Sequence, residues 1–297
     1  MKIILMLGIT LIAALGASLT IKYYTDKNLS KTSSFYSFNI VSSIVAAFVL
    51  SLFGNVCLPS AFTVLTGTLF GTLIALQAIA IMFALKYGPM SYTQVIISFS
   101  TLISALSGVV LFNETLGWQQ IVGMAFMLIS FVLAVKNDAN KKKATIKWLL
   151  LCIIAFLSNG SIGIMQKIHQ NSAYKQELNA FLVIAFIVSS SFCAIVMAML
   201  RLLNKDGAKE NKIHNSKLMR NIAVMVISGA CVALNHKLNL YLSGVIESAV
   251  FFPIVNGGGL VLAILSAMVF FKEKLSKKQW VGIICGIVSV VFLCNPF

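Results

Sequence analysis

The chain has 297 residues, of which 59% are hydrophobic and 10% are charged, and its mean hydropathy is +0.94. A soluble domain carries about 25% charged residues, so this composition excludes a soluble globular protein and predicts one that lies in lipid. The net charge of +15 does not indicate nucleic-acid binding, because most Lys and Arg lie in short linkers between apolar runs; their expected partner is the anionic cytoplasmic leaflet.

A membrane-spanning helix needs about 20 mostly apolar residues, and the sequence contains ten such runs. In chain order they are residues 3–21, 34–53, 62–85, 90–112, 118–135, 148–168, 179–200, 219–242, 245–270 and 280–295. The first run, preceded by Lys2 and followed by small residues, also fits a signal peptide, whose removal would leave nine spans. We prefer ten, because the repeat described next requires five spans in each half.

One twelve-residue stretch occurs twice in the chain. Residues 112–123 and 271–282 align without a gap at an offset of 159. They share Phe112/Phe271, Glu114/Glu273, Leu116/Leu275, Gln120/Gln279, Val122/Val281 and Gly123/Gly282, and the register continues through Ser130/Ser289. We interpret this as an internal duplication: a first five-helix repeat at 1–135, a basic linker at 136–147 and a second five-helix repeat at 148–297.

The number of spans in each repeat determines how the two repeats are oriented. Five is odd, so the second repeat would enter the membrane from the opposite side. The predicted fold is an all-α membrane protein of ten transmembrane helices, arranged as two inverted five-helix repeats. That architecture is typical of secondary transporters, which expose a central site alternately to each side. Of the 23 Lys and Arg, 19 lie in odd-numbered linkers or within two residues of one, so both termini are predicted to lie outside.

The doubled pattern, Glu-x-Leu at the end of one span and Gln-x-x-Gly at the start of the next, resembles the EamA-like transporters of the drug/metabolite transporter superfamily. The resemblance covers the whole chain. It implies a ten-helix bundle with a central cavity that moves small metabolites, amino acids or drugs without ATP hydrolysis. The chain departs from the family's pattern at Thr101 and Leu260, where a proline is often present. Its lysines also contradict the cytoplasmic termini usually drawn for members.

We interpret the motif residues themselves as structural. Glu114 and Glu273 end a helix, where a carboxylate caps or pairs locally. The remaining motif residues suit close helix packing; they are Gln120, Gly123, Gln279 and Gly282.

Polar side chains inside spans usually face the bundle interior and mark substrate or ion paths, although they also serve as hydrogen-bonding contacts between helices. The candidate substrate-binding residues are Gln77, Gln94, Asn159, Asn235, His236, Asn239 and Asn256. Gln94 belongs to a polar stripe on the fourth span. Asn235, His236 and Asn239 share an arc of about 100° on the eighth span.

The ninth span contains Pro253 and the glycines 257–259, which predict either an interrupted helix near mid-membrane, typical of a transporter's site, or a kink for packing. Glu247, placed one turn inside this span, is a candidate proton carrier, a counter-ion for a cationic substrate, or a partner for Lys237. His236 is a second coupling candidate, since histidine titrates near neutral pH. Whether Lys237 faces the cavity or extends to the interface stays open.

The cysteines lie in or beside apolar runs without paired spacing or CxxC, so neither a disulfide framework nor a zinc site is expected. P-loop, HExxH and GxSxG motifs are absent from the sequence. We therefore expect no enzyme, no catalytic residue, no cofactor and no metal.

These observations predict a secondary transporter in the plasma membrane. It would move a small polar metabolite, such as an amino acid, through a cavity bounded by spans 1, 3, 4, 6, 8 and 9, with proton coupling left open. The alternatives are an exporter of drugs or cationic compounds, a lipid-linked-sugar flippase, and a membrane scaffold or sensor without transport. The expected partners are the small-molecule substrate and the lipid bilayer, with no nucleic acid, and the chain is expected to be a monomer or homodimer.

Overall fold

The computed structural model of the chain describes residues 2–28, 32–54, 57–88, 90–134, 145–203, 215–271 and 275–294. Every regular element within these ranges is helical. The helices are α1 Lys2–Asn28, α2 Thr32–Phe53, α3 Ala61–Tyr87, α4 Met90–Phe99, α5 Thr101–Phe112, α6 Trp118–Ala134, α7 Ile146–Gln170, α8 Leu178–Leu203, α9 Asn215–Ser243, α10 Ser248–Phe271 and α11 Lys277–Cys294, with a 3-10 turn at Lys175–Glu177.

The described helices confirm an all-helical, multi-span membrane protein. Nine helical segments in these ranges are long and apolar enough to cross a membrane, one of them formed by α4 and α5 together. α6, with 17 residues, is a shorter apolar helix. Each of the ten apolar runs therefore corresponds to a helical segment. Most of the basic linker, and Glu273 of the second motif, lie outside the described residues.

The fourth span consists of α4 and α5, which are separated by a turn at Ser100 alone. Ser100 has φ −63° and ψ −18°, in the helical region, and Tyr92–Phe112 forms one apolar span, as predicted. α10 continues through Pro253, so the predicted interruption of this helix is wrong. A proline six residues into a helix removes one intrahelical donor, and here the surrounding residues 251–255 are all buried, so packing holds the helix together.

The described chain divides into two compact units. The first comprises Met1–Leu11, Leu76–Lys175 and Leu238–Phe297, and the second comprises Ile12–Ala75 and Gln176–Lys237. Both units contain segments from each side of the basic linker.

In the first unit, α6 and α11 pack along their lengths. The Ser130 hydroxyl donates to the carbonyl oxygen of Gly282 at 2.7 Å, and the Ser289 hydroxyl donates to that of Gly123 at 2.6 Å. Residue numbers rise along α6 while those of their partners fall along α11, so the two helices are antiparallel. Both glycines lie at the contact, where a Cβ atom at Gly123 would lie 2.7 Å from Leu293. Small residues allow this close approach.

The core of the first unit lies where α10 packs against α5, α6 and α11. Its buried cluster consists of Ala105, Met124, Met127, Phe131, Ile254 and Leu293. On the other side of α5, the Ser104 hydroxyl of this helix donates to the carbonyl oxygen of Gly160 in α7 at 3.0 Å. Since lipid supplies no hydrophobic force between helices, such packing and interhelical hydrogen bonds hold the unit together.

The second unit is built around α2 and α8, which pack extensively. α3 joins them through a Gly-x-x-x-Gly pair. A Cβ atom at Gly67 would lie 3.0 Å from the carbonyl oxygen of Phe181, and one at Gly71 would lie 2.9 Å from the carbonyl carbon of Ala185. The backbones of α3 and α8 are therefore in direct contact. The carboxylate of Glu177 caps α3 by accepting from the backbone N–H of Ser60 at 2.9 Å.

Candidate functional site

The two motif glutamines have equivalent roles in the two halves of the chain. Gln120 Oε1 accepts from the backbone N–H of Gly117 at 2.7 Å, at the start of α6, and Gln279 Oε1 accepts from that of Ser276 at 3.0 Å, at the start of α11. A Gln at the third helical position that binds the N-cap N–H is one half of a capping box. Gln279 Nε2 also donates to the carbonyl oxygen of Ala134 at 3.2 Å. These contacts give both glutamines a structural role as helix caps.

Glu114 begins the loop after α5 and joins three helices. Its Oε2 atom accepts from the backbone N–H of Ser248, the first residue of α10, at 2.7 Å. Its Oε1 atom lies 2.5 Å from Nζ of Lys167 in α7, and Lys167 also donates to the carbonyl oxygen of Ile246 at 3.0 Å. A carboxylate at a helix N-terminus is further stabilised by the helix dipole. The prediction that Glu114 caps or pairs is confirmed, although its partners are distant in sequence.

Lys167 is a buried pairing residue that the sequence analysis missed. It is one of four Lys and Arg that lie more than two residues from an odd-numbered linker, and it lies near the end of an apolar helix. A lysine in such a place requires a counter-charge or an exit to the interface. From this requirement, the pairing of Lys167 with an acidic residue could have been predicted from the sequence.

Three polar side chains converge at the turn between α4 and α5. Gln77 in α3 donates from Nε2 to Oδ1 of Asn159 in α7 at 2.6 Å. Asn159 donates from Nδ2 to the Ser100 hydroxyl at 2.6 Å, and Ser100 donates to the carbonyl oxygen of Ile97 at 2.6 Å. Gln77 and Asn159 are half-buried and Ser100 is buried. Two of the predicted site residues are thus brought together, and Ser100, which the sequence analysis did not single out, joins them.

Asn256 lies near the middle of α10 and contacts the start of α5. Its Nδ2 atom donates to the hydroxyl of Thr101 at 3.0 Å. Asn256 is exposed, although residues 251–255 and Gly257 around it are buried. An exposed amide at this depth favours contact with a water-filled space over contact with lipid, because lipid offers no hydrogen-bonding partner.

Gln94 and Glu247 are also exposed residues of the first unit. Gln94 lies on α4, and its polar stripe continues past the turn at Ser100 to Thr101. Glu247 precedes α10, which begins at Ser248, so its predicted position one turn inside the span is wrong. Its Oε2 atom accepts from Nε2 of Gln120 at 2.9 Å.

The remaining predicted site residues lie on α9. Asn239 belongs to the first unit, and Asn235 and His236 belong to the second. The His236 ring meets Phe70 and Phe186 nearly edge-on, with centroid separations of 6.0 and 5.4 Å. Both phenylalanines are fully buried, so two rigid aromatic contacts fix the orientation of the imidazole.

Comparison with known proteins adds the family to this geometry. The model of the EamA-like transporter family matches residues 146–295. The chain belongs to the EamA-like transporter family. This EamA-like chain is therefore a membrane transporter of the drug/metabolite transporter superfamily. The matched range covers all of α7 to α11 and nearly coincides with the second predicted repeat.

The solved structures agree with this EamA-like fold. One crystal structure of a protein is similar at a TM-score of 0.75, over 99% of this chain and 96% of that chain, with 10% sequence identity. At that identity the likeness concerns the fold alone. A search of the curated proteins by sequence finds no match.

Proposed function

We propose that the protein is a secondary transporter that moves a small polar metabolite, an amino acid or a similar zwitterionic or neutral compound, across the plasma membrane by alternating access. The observation that carries this proposal is the convergence of Gln77 and Asn159 on Ser100, at the turn between α4 and α5. Amide and hydroxyl side chains inside membrane spans usually face the bundle interior and mark substrate paths.

The chemistry of this network favours an uncharged or zwitterionic substrate. Its side chains are amides and hydroxyls, and the neighbouring contact between Asn256 and Thr101 is of the same kind. The buried charges Glu114 and Lys167 neutralise each other, so neither offers a free charge to an ion. We propose Gln77, Gln94, Asn159, Asn239 and Asn256 as substrate-binding residues of the first unit, and Asn235 and His236 of the second unit as further residues required for transport.

The inverted repeat is part of the proposal, with domains at 1–135 and 148–297. Three observations support it. Ser130 and Ser289 make reciprocal hydrogen bonds between antiparallel helices, and these residues are equivalent at the offset of 159. Gln120 and Gln279 cap their helices in the same way. The family match also covers one half of the chain.

We also propose that both termini lie outside the cell. The support is the distribution of Lys and Arg and the cluster of Glu114, Lys167 and Ile246, which lie in or near the fourth, sixth and eighth linkers. The contacts among these three residues are consistent with even-numbered linkers that lie on the same side of the membrane.

The assignment is tested by placing single cysteines in the linkers and labelling intact cells with a membrane-impermeant reagent. Labelling of the odd-numbered linkers would reverse the assignment.

Transport is tested in proteoliposomes with a mixture of radiolabelled amino acids. Uptake by the wild-type protein should exceed that of empty vesicles, and Asn159→Ala or Gln94→Ala should reduce it to background while the amount of folded protein stays unchanged. Full uptake in both variants would remove these residues from the site. Uptake of organic cations alone would instead indicate the exporter alternative.

Coupling to protons is assigned to Glu247 and His236. Glu247 is exposed next to Gln120 at the entry of α10, so its carboxylate is within reach of water. A pH gradient should increase uptake by the wild-type protein, and Glu247→Gln should abolish the increase. An unchanged response in both Glu247→Gln and His236→Gln would exclude these residues as the coupling groups.

A further inference from the structure

The hydrogen-bond chain from Gln77 through Asn159 and Ser100 to Ile97 has a direction, which the backbone determines. A carbonyl oxygen accepts but cannot donate. The Ser100 hydroxyl, 2.6 Å from the carbonyl oxygen of Ile97, therefore donates its single proton there. The backbone N–H of Ser100 donates to the same carbonyl at 3.0 Å, so two donors of Ser100 bind this acceptor.

The donor role of Ser100 determines the orientation of the Asn159 and Gln77 amides. With its proton bound to Ile97, the Ser100 oxygen acts as an acceptor toward Asn159, so the atom 2.6 Å away is the donor Nδ2. This orients the Asn159 amide with Oδ1 toward Gln77. The Gln77 atom 2.6 Å from Oδ1 must then be the donor Nε2, which leaves the carbonyl oxygen Oε1 of Gln77 at the outer end of the chain.

We propose that Gln77 is a specificity-determining residue and that its Oε1 atom binds an N–H donor of the substrate, either a primary ammonium or an amide N–H. The inference rests on the proposed function, because it assigns substrate chemistry to the same network. Gln77 is half-buried, so part of its side chain is exposed. A carboxylate or phosphate oxygen facing Oε1 would place two acceptors together, and desolvating an acceptor without a donor is unfavourable. Ser100 acts as a positioning residue, since it sets the orientation without touching the substrate.

The first test compares pairs of compounds that differ in the donor. The melting temperature of the purified protein in detergent is measured in the presence of each amino acid, of its primary amide, and of the corresponding acid that lacks the α-amino group. A bound compound raises the melting temperature by mass action. Compounds with the N–H donor should stabilise the wild-type protein and their des-amino counterparts should not. Gln77→Met, which keeps the length of the side chain but removes the amide, should abolish the difference.

The second test uses Ser100→Ala, with Ser104→Ala as its matched control. Without the Ser100 hydroxyl, nothing fixes the Asn159 amide, so Gln77 is free to present nitrogen instead of oxygen. The preference for the amino compound should fall about two- to tenfold, as expected for one net hydrogen bond. Ser104 is also buried and also bonds α7, through the carbonyl oxygen of Gly160, but it is not part of the chain; Ser104→Ala should leave the preference unchanged.

The outcomes separate this inference from the proposed function. Equal stabilisation of the wild-type protein by amino and des-amino compounds overturns the inference, as does the lack of a shift with every N–H donor. So does an unchanged preference in both Gln77→Met and Ser100→Ala. Uptake in proteoliposomes and its loss in Asn159→Ala are measured independently, so transport can be established while the assignment of Gln77 fails.

Discussion

Lys167 and Glu114 form an ion pair of 2.5 Å in which the two side chains are 6% and 12% exposed. The pair links the end of α7 to the loop after α5. The second carboxylate oxygen of Glu114 accepts a hydrogen bond from the backbone N–H of Ser248, the first residue of α10. In a medium of low dielectric constant, neither charge is stable without the other. The pair therefore stabilises the junction of three helices in the first unit.

Removing one partner of this pair should be strongly destabilising. Lys167→Met leaves the Glu114 carboxylate unpaired and mostly buried, so the free energy of unfolding should fall by about 3–5 kcal/mol. Equilibrium unfolding in detergent micelles, followed by circular dichroism, measures the change.

The matched comparison is the double variant Glu114→Gln/Lys167→Met, which contains no unpaired charge and retains an amide that can accept from Ser248. Its stability should lie nearer to that of the wild-type protein than to that of Lys167→Met. If the single and the double variants are equally unstable, the loss comes from packing of the lysine side chain and not from its charge.

The reciprocal bonds of Ser130 and Ser289 predict equal effects of equivalent substitutions. Ser130→Ala and Ser289→Ala should each lower the free energy of unfolding by about 0.6 kcal/mol, and by no more than about 1.7 kcal/mol. Ser266→Ala is the control, because the buried Ser266 hydroxyl donates to the carbonyl oxygen of Ala263 within its own helix. A large effect of one serine with none of the other would show that the two contacts are not equivalent.

The sequence allowed prediction of those parts of the structure that depend on periodicity and repetition. The offset of 159 paired Gly123 with Gly282 and Ser130 with Ser289, and the structure places all four at one contact. The length and hydropathy of the runs were sufficient to predict the spans. The structural role of Glu114 also followed, because an acidic residue between two spans must cap, pair or reach water.

The parts that could not be predicted depend on tertiary contacts. Ser100 is one of several small polar residues in the fourth span, and its role became visible only through Asn159, which lies 59 positions away. Proline suggested an interruption in α10, but buried neighbours keep that helix continuous. Local propensity is a weak guide where packing decides.

The contact of α3 with α8 predicts that Gly71 cannot be replaced by a larger residue. A Cβ atom at this position would lie 2.9 Å from both the carbonyl carbon and the Cα atom of Ala185. Since these are backbone atoms, the helices would have to move apart, and Gly71→Ala should cost about 1–3 kcal/mol in the free energy of unfolding.

Gly259→Ala provides the control for this substitution. A Cβ atom at Gly259 meets no atom within 4 Å, and replacing glycine by alanine inside a helix is favourable by roughly 0.5–1 kcal/mol. The two variants should therefore shift the melting temperature in opposite directions. A neutral effect of Gly71→Ala would mean that α3 and α8 are not in backbone contact.

Substitutions of Asn113, between α5 and Glu114, should change the stability of the protein according to the backbone conformation that each residue tolerates. It has φ 53° and ψ 31°, a left-handed conformation, and the following N–H of Glu114 donates to the carbonyl oxygen of Gly108 at 3.1 Å. Asparagine tolerates this conformation and glycine adopts it freely, whereas a β-branched residue does not. Asn113→Gly should therefore change the free energy of unfolding little, while Asn113→Val should lower it by about 1–2 kcal/mol. Because the same turn aims Glu114 at Lys167, the Asn113→Val substitution should cost less when it is made in the Glu114→Gln/Lys167→Met background. Additive costs in the double-mutant cycle would show that the turn and the ion pair act independently.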